Sequence, residues 1–245
     1  MQRQRAAEGG RTTMKLHELG QYIFFGSIDK TIYEEEKSVT GRSNLRAVKR
    51  LSIVSMLLFF LAGLCFLVEN GLDIKFVTCM FFSGCVGIVA YRAVGIPYSR
   101  AKYCLPLVYV YSAIMMIATI LLDGVIGRHY SCVTFTACTV IFMMIFTDLP
   151  WHMFILSGTA EIMMIITSAL SKSTKLFEYD LLCIIIFTIT NFFLCPYMMQ
   201  IKFADILTRR RIEHERDIDA LTQLYHKDVV RHTVNETFQP FMTAR

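Results

Sequence analysis

The stretch LSIVSMLLFFLAGLCFLV, residues 51–68, decides the fold class of this chain. It contains no charged residue, and at 1.5 Å per residue a helix of this length approaches the roughly 30 Å core of a bilayer. Similar apolar stretches follow at Phe76–Tyr91, Cys104–Leu122, Ser131–Thr147, Trp151–Leu170 and Leu181–Ile201. The sequence therefore predicts an all-α, polytopic membrane bundle of about six transmembrane helices over residues 51–201. The fourth stretch is the shortest, and the turn signal Asp148-Leu149-Pro150 predicts a tight hairpin between it and the fifth.

The composition favours a membrane protein over other classes. Hydrophobic residues make up 54% and charged residues 18% of the chain, whereas soluble domains carry about 25% charged residues. The net charge is +5, but the basic residues lie beside the apolar stretches, which favours anionic lipid headgroups over nucleic acid as partners. The eight cysteines include no Cys-x-x-Cys pair, so we interpret them as small buried hydrophobic residues. No metal or cofactor is predicted.

The placement of Lys and Arg predicts the orientation. In a six-span arrangement, 21 of the 25 Lys and Arg residues fall on one side, and only Lys75, Arg128, Lys172 and Lys175 fall on the other. Because cytoplasmic loops carry an excess of positive residues, both termini are expected in the cytosol. Residues 1–50 show no domain pattern and are predicted to form a cytoplasmic amino-terminal tail, with an interfacial helix near Leu16–Phe25.

Polar side chains within the apolar stretches are the candidate functional residues. Glu161 lies at the centre of the fifth stretch, where an ionised carboxylate is costly, so it is either protonated or faces the interior of the bundle. One interpretation is a site that senses a ligand, ion or proton. The alternative is a neutral carboxyl group that hydrogen-bonds a neighbour such as Asn191 or a Thr hydroxyl. Asn191 is the second candidate for sensing, Pro196 offers a place for a bend, and Trp151 and His152 are predicted to be interfacial.

The segment after Ile201 predicts a juxtamembrane signalling helix. Residues 202–227 are charged, lack Gly and Pro, and contain good helix formers. Heptad spacing relates Leu207, Arg211, His214, Ile218, Leu221 and Tyr225. This seam predicts a parallel homodimer, and the alternative is a solvated helix that binds lipid headgroups through its arginines.

Residues 215–227, ERDIDALTQLYHK, resemble the segment that leads into the GGDEF domain of diguanylate cyclases. The matching positions are Asp219, Leu221, Thr222 and Leu224, while Gln223, His226 and Lys227 depart from the family's Gly, Asn and Arg. The resemblance implies the membrane sensor half of an enzyme that makes cyclic di-GMP, located in a bacterial cytoplasmic membrane. Residues 228–245 would then be the start of a truncated GGDEF-like domain.

The Gly-Gly-Asp-Glu-Phe signature of that family does not occur in this sequence. In the family its carboxylates hold the metal ions of a bound nucleotide, so we expect residues 1–245 to have no cyclase activity and no catalytic residue. Two other classes remain open. His214-Glu215 would suit the sensor of a histidine kinase, and Glu161 would be the coupling residue of a small transporter, although no repeat relates the first and second three spans.

Overall fold

The structure, a computed structural model, describes residues 30–242, and it describes side chains from Tyr33 to Ile212 except those of residues 35, 70 and 102. Within this range it is helical and contains no strand. The helices are α1 Lys30–Asn70, α2 Ile74–Gly95, α3 Leu105–Thr119, α4 Val133–Ile145, α5 Pro150–Ser171 and α6 Thr174–Met242. A 3-10 helix, Tyr98–Tyr103, precedes α3, and a π-helix, Ile120–Ile126, follows it. The chain forms two compact units, one ending at Gln200 and one beginning at Ile201.

Five helical segments are long and apolar enough to cross a membrane. They are Glu36–Glu69, Ile74–Gly95, Leu105–Ile126, Pro150–Ser171 and Thr174–Ile212. Large apolar side chains such as Leu58, Phe81 and Ile162 are more than half exposed on the outside of the bundle. A helix that is apolar on its outer as well as its inner face is typical of a lipid environment. The predicted all-α membrane bundle is therefore confirmed.

The fourth predicted span is shorter than the others. Helix α4 has 13 residues, or about 20 Å of rise, which is less than the roughly 30 Å of a bilayer core. The residues that flank it extend its reach, since Cys132 N donates to Asp180 near the start of α6 and Thr147 N donates to Asn44 of α1. Residues 131–148 thus join two polar ends of the bundle, and only four residues separate α4 from α5.

Helix α1 begins at Lys30, well before the predicted span edge at Leu51. Its early part is amphipathic, with buried side chains at Tyr33, Glu36, Thr40 and Asn44. These residues recur every three or four positions, which places them on one face of a helix. Because the buried side chains are polar, hydropathy alone could not separate this helix from a cytoplasmic tail. The predicted helix near Leu16–Phe25 lies outside the described residues.

Helix α6 begins at Thr174 and passes through Pro196 to Met242 without interruption. The predicted helix over residues 202–227 is therefore confirmed as a helix, while its place beside a membrane and in the cytosol stays a prediction. Leu207 is 43% exposed within its unit. The side chains of the other seam residues from His214 onward, and of Asp219, Thr222 and Leu224, lie outside the described residues.

Candidate functional site

The carboxyl group of Glu161 is buried at the middle of α5. Only 7% of the residue is exposed, and its Oε2 lies 2.8 Å from the hydroxyl oxygen of Thr188 on α6. In the described part of the chain, no Lys, Arg or His forms an ion pair with Glu161. Of the two neighbours that the sequence suggested, the contact is with a Thr hydroxyl and not with Asn191. The contact joins the centre of α5 to α6.

The Thr188 hydroxyl makes this contact dependent on the charge of Glu161. Its oxygen lies 2.7 Å from the carbonyl oxygen of Ile184 as well as 2.8 Å from Glu161. A hydroxyl has one hydrogen to donate. If Glu161 is ionised, Thr188 donates to the carboxylate; if Glu161 carries a proton on Oε2, it donates to Thr188, which then donates to Ile184. Protonation of this oxygen therefore reverses the direction of the hydrogen bond between α5 and α6.

Asn191 lies three residues after Thr188 and is also buried, with 2% of its surface exposed. Neither its Oδ1 nor its Nδ2 has a hydrogen-bond partner among the described residues. Leaving a buried polar group unsatisfied costs about 1 to 3 kcal/mol. Because positions three apart lie on the same face of a helix, Thr188 and Asn191 form one polar strip on α6. This strip has unused donor and acceptor capacity.

A second polar site surrounds Asp148, in the connection between α4 and α5. Its carboxylate is 3% exposed and accepts hydrogen bonds from the hydroxyl groups of Tyr33 at 2.7 Å and of Tyr109. The Nδ1 atom of His152 lies 2.9 Å from Oδ2. We call these four residues the Asp148 cluster. It gathers α1, α3 and α5 at one end of the bundle.

Two further features hold the Asp148 cluster in place. The Asn44 side chain pairs with the backbone of Thr147, donating to its carbonyl at 2.8 Å and accepting from its N–H at 2.9 Å. Burial, together with the adjacent Asp148 carboxylate, raises the pKa of the Tyr33 phenol far above its usual range, so this phenol remains a donor. The connection before α5 is thus bound to α1 by both backbone and side-chain groups.

The opposite end of the bundle is built around Asp180, which is fully buried. Oδ2 lies 2.6 Å from Lys172 Nζ and accepts from Ser168 at 2.7 Å. Oδ1 accepts from Cys132 N at 2.9 Å and from Ser131 Oγ at 3.2 Å. The Lys172 side chain is itself inaccessible. This arrangement satisfies a buried ion pair with hydrogen bonds from three segments, so we interpret it as structural.

Sequence reasoning identified some of these groups and missed others. From the sequence, Asp148 is recognised only as part of a turn, and Asp180 is not recognised as a candidate residue. His152 was predicted to be interfacial, and its contacts with Asp148 and with the adjacent Trp151 ring lie at the beginning of α5. Asp148 and Asp180 each lie next to the end of an apolar stretch, and this position of an acidic residue could have identified both. Among the described residues, no group of His, Cys, Asp or Glu could hold a metal ion.

Comparisons with protein-family models, with curated proteins and with solved structures found no match. The class of protein rests on the described fold and on the polar groups within it. The fold is a multi-pass membrane helical bundle with a buried carboxyl group at its centre and polar clusters at both ends.

Proposed function

We propose that this chain is a membrane signal-input domain in which the state of Glu161 is passed to α6. The observation that carries the proposal is the 2.8 Å contact between Glu161 and Thr188, because it places the single buried charge-bearing group of α5 directly against α6. The same helix continues to Met242 and includes the segment that resembles the lead-in to a GGDEF domain. The proposed output is therefore control of a cyclase domain of that family.

The contacts at the two ends of the bundle support this proposal. The Asp148 cluster joins α1, α3 and α5 at one end, and Asp180 joins the start of α6 to α5 and to the residues before α4 at the other end. Between them, the polar strip of α6 has the one Thr188 contact with Glu161 and an unsatisfied Asn191. A ligand, ion or proton that changed this strip would act on a helix, and a rotation or shift of a helix is a common switching motion.

We propose that both termini are cytosolic, in the cell membrane of a bacterium, and that the chain pairs as a homodimer through the seam at Leu207, Ile218, Leu221 and Tyr225. Anionic lipids are the proposed partners of the basic residues beside the spans. The orientation rests on the placement of Lys and Arg, and the polar contacts support the sorting of the connections to two ends of the bundle. Connections 96–104 and 146–149 both contact the early part of α1, through Lys49 and Asn44, whereas residues 130–132 contact Lys172 and Asp180 at the other end.

Reporter fusions test this orientation. A reporter joined after Lys202 is expected to report the cytosol, and one joined after Lys175 is expected to report the exterior, because α5 and α6 pass between opposite ends of the bundle. The measurement is paired phosphatase and fluorescence activity from fusions at the two positions. The reverse pair of locations would overturn the proposed topology.

Helical insertions test transmission through α6 without knowledge of the signal. Residues 1–227 are joined to a complete GGDEF domain, and two or seven helix-forming residues are inserted after Ile206, ahead of the seam. Seven residues add nearly two full turns, while two add slightly more than half a turn. Cyclic di-GMP output is expected to stay near the parent level with seven and to change roughly fivefold or more with two. Equal outputs from both insertions would contradict transmission by helix rotation, and the seven-residue insertion is the matched control for added length.

A further inference from the structure

A groove runs between α3 and α5 from the Asp148 cluster towards the middle of the bundle. Its first part is a pocket of about 460 Å³, lined by residues that include Asp148, Tyr109 and His152. Its second part, of about 400 Å³, lies between Ile117 and Met163. Leu156 and Thr159 line both parts, so the two adjoin. The groove begins with polar walls and ends with apolar ones.

The polar end of the groove has hydrogen-bond acceptors to offer. Asp148 receives three hydrogen bonds, and a carboxylate has about four acceptor positions. Nδ1 of His152 lies 2.9 Å from Oδ2 of Asp148, and when Nδ1 carries the hydrogen of an imidazole ring, Nε2 is free to accept one. A ligand that donates hydrogen bonds would suit this end.

The charge balance at this end favours a cation. Glu34 and Lys37 pair with each other at 3.2 Å and compensate one another. Asp148 has no Lys or Arg partner among the described residues, and its one ion-pair partner is the imidazole of His152. A phosphate or carboxylate headgroup would place a second negative charge beside the Asp148 carboxylate.

We propose that this groove binds a single-chain amphiphile with a protonated amine headgroup. The ammonium group lies against Asp148 and His152, and the alkyl chain follows the groove past Leu156 and Thr159. From Leu105 to Ile120 the lining of α3 spans about 22 Å, which is longer than one half of a 30 Å bilayer core and therefore accommodates a long chain. This site is separate from Glu161 and does not depend on the function proposed for it.

The single tryptophan of the chain reports on this site. Trp151 precedes His152, and their ring centroids are 3.8 Å apart. Bromine quenches tryptophan fluorescence at short range, so the quencher is 3-bromopropylamine, which carries its bromine close to the ammonium group. Undecylamine and undecanoic acid are the competitors, matched in chain length. The purified full chain is placed in phosphatidylcholine nanodiscs with the quencher and titrated with each competitor. Undecylamine is expected to relieve the quenching of Trp151 saturably, at a concentration roughly tenfold or more below that needed for the acid.

Two variants separate recognition of the headgroup from recognition of the chain. Asp148→Asn keeps an acceptor but removes the charge, and it is expected to weaken amine binding about tenfold; Asp205→Asn, at an exposed carboxylate paired with Arg209, is the control and should leave binding unchanged. Thr159→Phe fills the groove at an exposed position. It should weaken displacement by undecylamine while 3-bromopropylamine quenches Trp151 as before.

Saturable relief of quenching by undecylamine that is lost in Thr159→Phe supports the groove even if Asp148→Asn does not fold. Equal relief by undecylamine and undecanoic acid, or quenching by 3-bromopropylamine that rises linearly without saturation, would overturn the proposal, because both indicate that the amine has no specific site.

Discussion

Replacing Lys172 with Met is expected to lower the free energy of unfolding by about 3 to 5 kcal/mol, the usual cost of removing one partner from a buried ion pair. The Lys172 ammonium lies 2.6 Å from Asp180, and both side chains are almost completely inaccessible. Without Lys172, the Asp180 carboxylate would remain buried with neutral donors only. It would then have to take up a proton or draw water into the bundle.

The expected loss is large because Asp180 also joins three parts of the chain. Its oxygens accept hydrogen bonds from Ser168 of α5 and from Ser131 and Cys132, which directly precede α4. Lys172 extends this network by donating to the carbonyl oxygen of Tyr130 at 2.9 Å. Loss of the ammonium group therefore removes its contacts with the connection before α4 and with Asp180 of α6.

Unfolding of the purified chain in mixed detergent, followed by circular dichroism, measures this loss. Lys175→Met is the matched control, because Lys175 is an exposed lysine three residues away and should change the free energy of unfolding by less than about 0.5 kcal/mol. The pair Lys172→Met with Asp180→Asn should recover much of the loss, since it removes both charges together. Equal midpoints for Lys172→Met and Lys175→Met would show that the ion pair contributes little to stability.

Glu161→Gln is expected to preserve the fold and to remove the signal-dependent response of a chimera that joins residues 1–227 to a complete GGDEF domain. Glutamine has the shape of a protonated carboxyl group and can hydrogen-bond Thr188, but it cannot change charge. The hydrogen bond with Thr188 could then form in either direction, but no change of charge at residue 161 would reach α6. The response should fall about fivefold or more, within the usual range of coupling between sites.

The measurement is cyclic di-GMP in cells moved between media that differ in pH, sodium or potassium, compared with the unaltered chimera. Glu178→Gln is the matched control, because Glu178 is an exposed carboxyl group on α6. Glu161→Leu separates the alternatives, since it removes the hydrogen bond as well as the charge. A full response in Glu161→Gln, together with loss of folding in Glu161→Leu, would identify Glu161 as a structural hydrogen-bonding group.

Asn191 adds a test of the same site, because its amide is buried without a partner among the described residues. If the amide has a role in signalling, Asn191→Leu should raise the free energy of unfolding by about 1 kcal/mol and lower the response of the chimera. Gains in stability at the expense of activity are typical of functional sites. A stabilised chimera with an unchanged response would leave Asn191 as a packing residue.

The sequence by itself determined the fold class, the number of apolar segments and the continuation of the last one as a helix. These properties depend on local composition, because a long apolar run must be helical in a bilayer and a charged run without Gly or Pro propagates a helix. It also identified Glu161, since a carboxyl group inside an apolar run is visible without any partner. The resemblance of residues 215–227 to a GGDEF lead-in belongs to the sequence alone, because their side chains lie outside the described residues.

The tertiary structure decided which polar groups meet. Tyr33, Tyr109 and Asp148 are separated by 39 or more residues along the chain. They come into contact because α1 and α3 are rotated so that the two tyrosines face the connection that carries Asp148. In the same way, the rotation of α5 and α6 about their axes places Thr188, and not Asn191, against Glu161. Helical rotation within a bundle is set by packing between helices, which an apolar run does not encode because nearly every side of it is hydrophobic. Hydropathy did not reveal the start of α1 for a related reason: its buried face is polar, and the partners of Tyr33 and Asn44 lie 115 and 103 residues away along the chain.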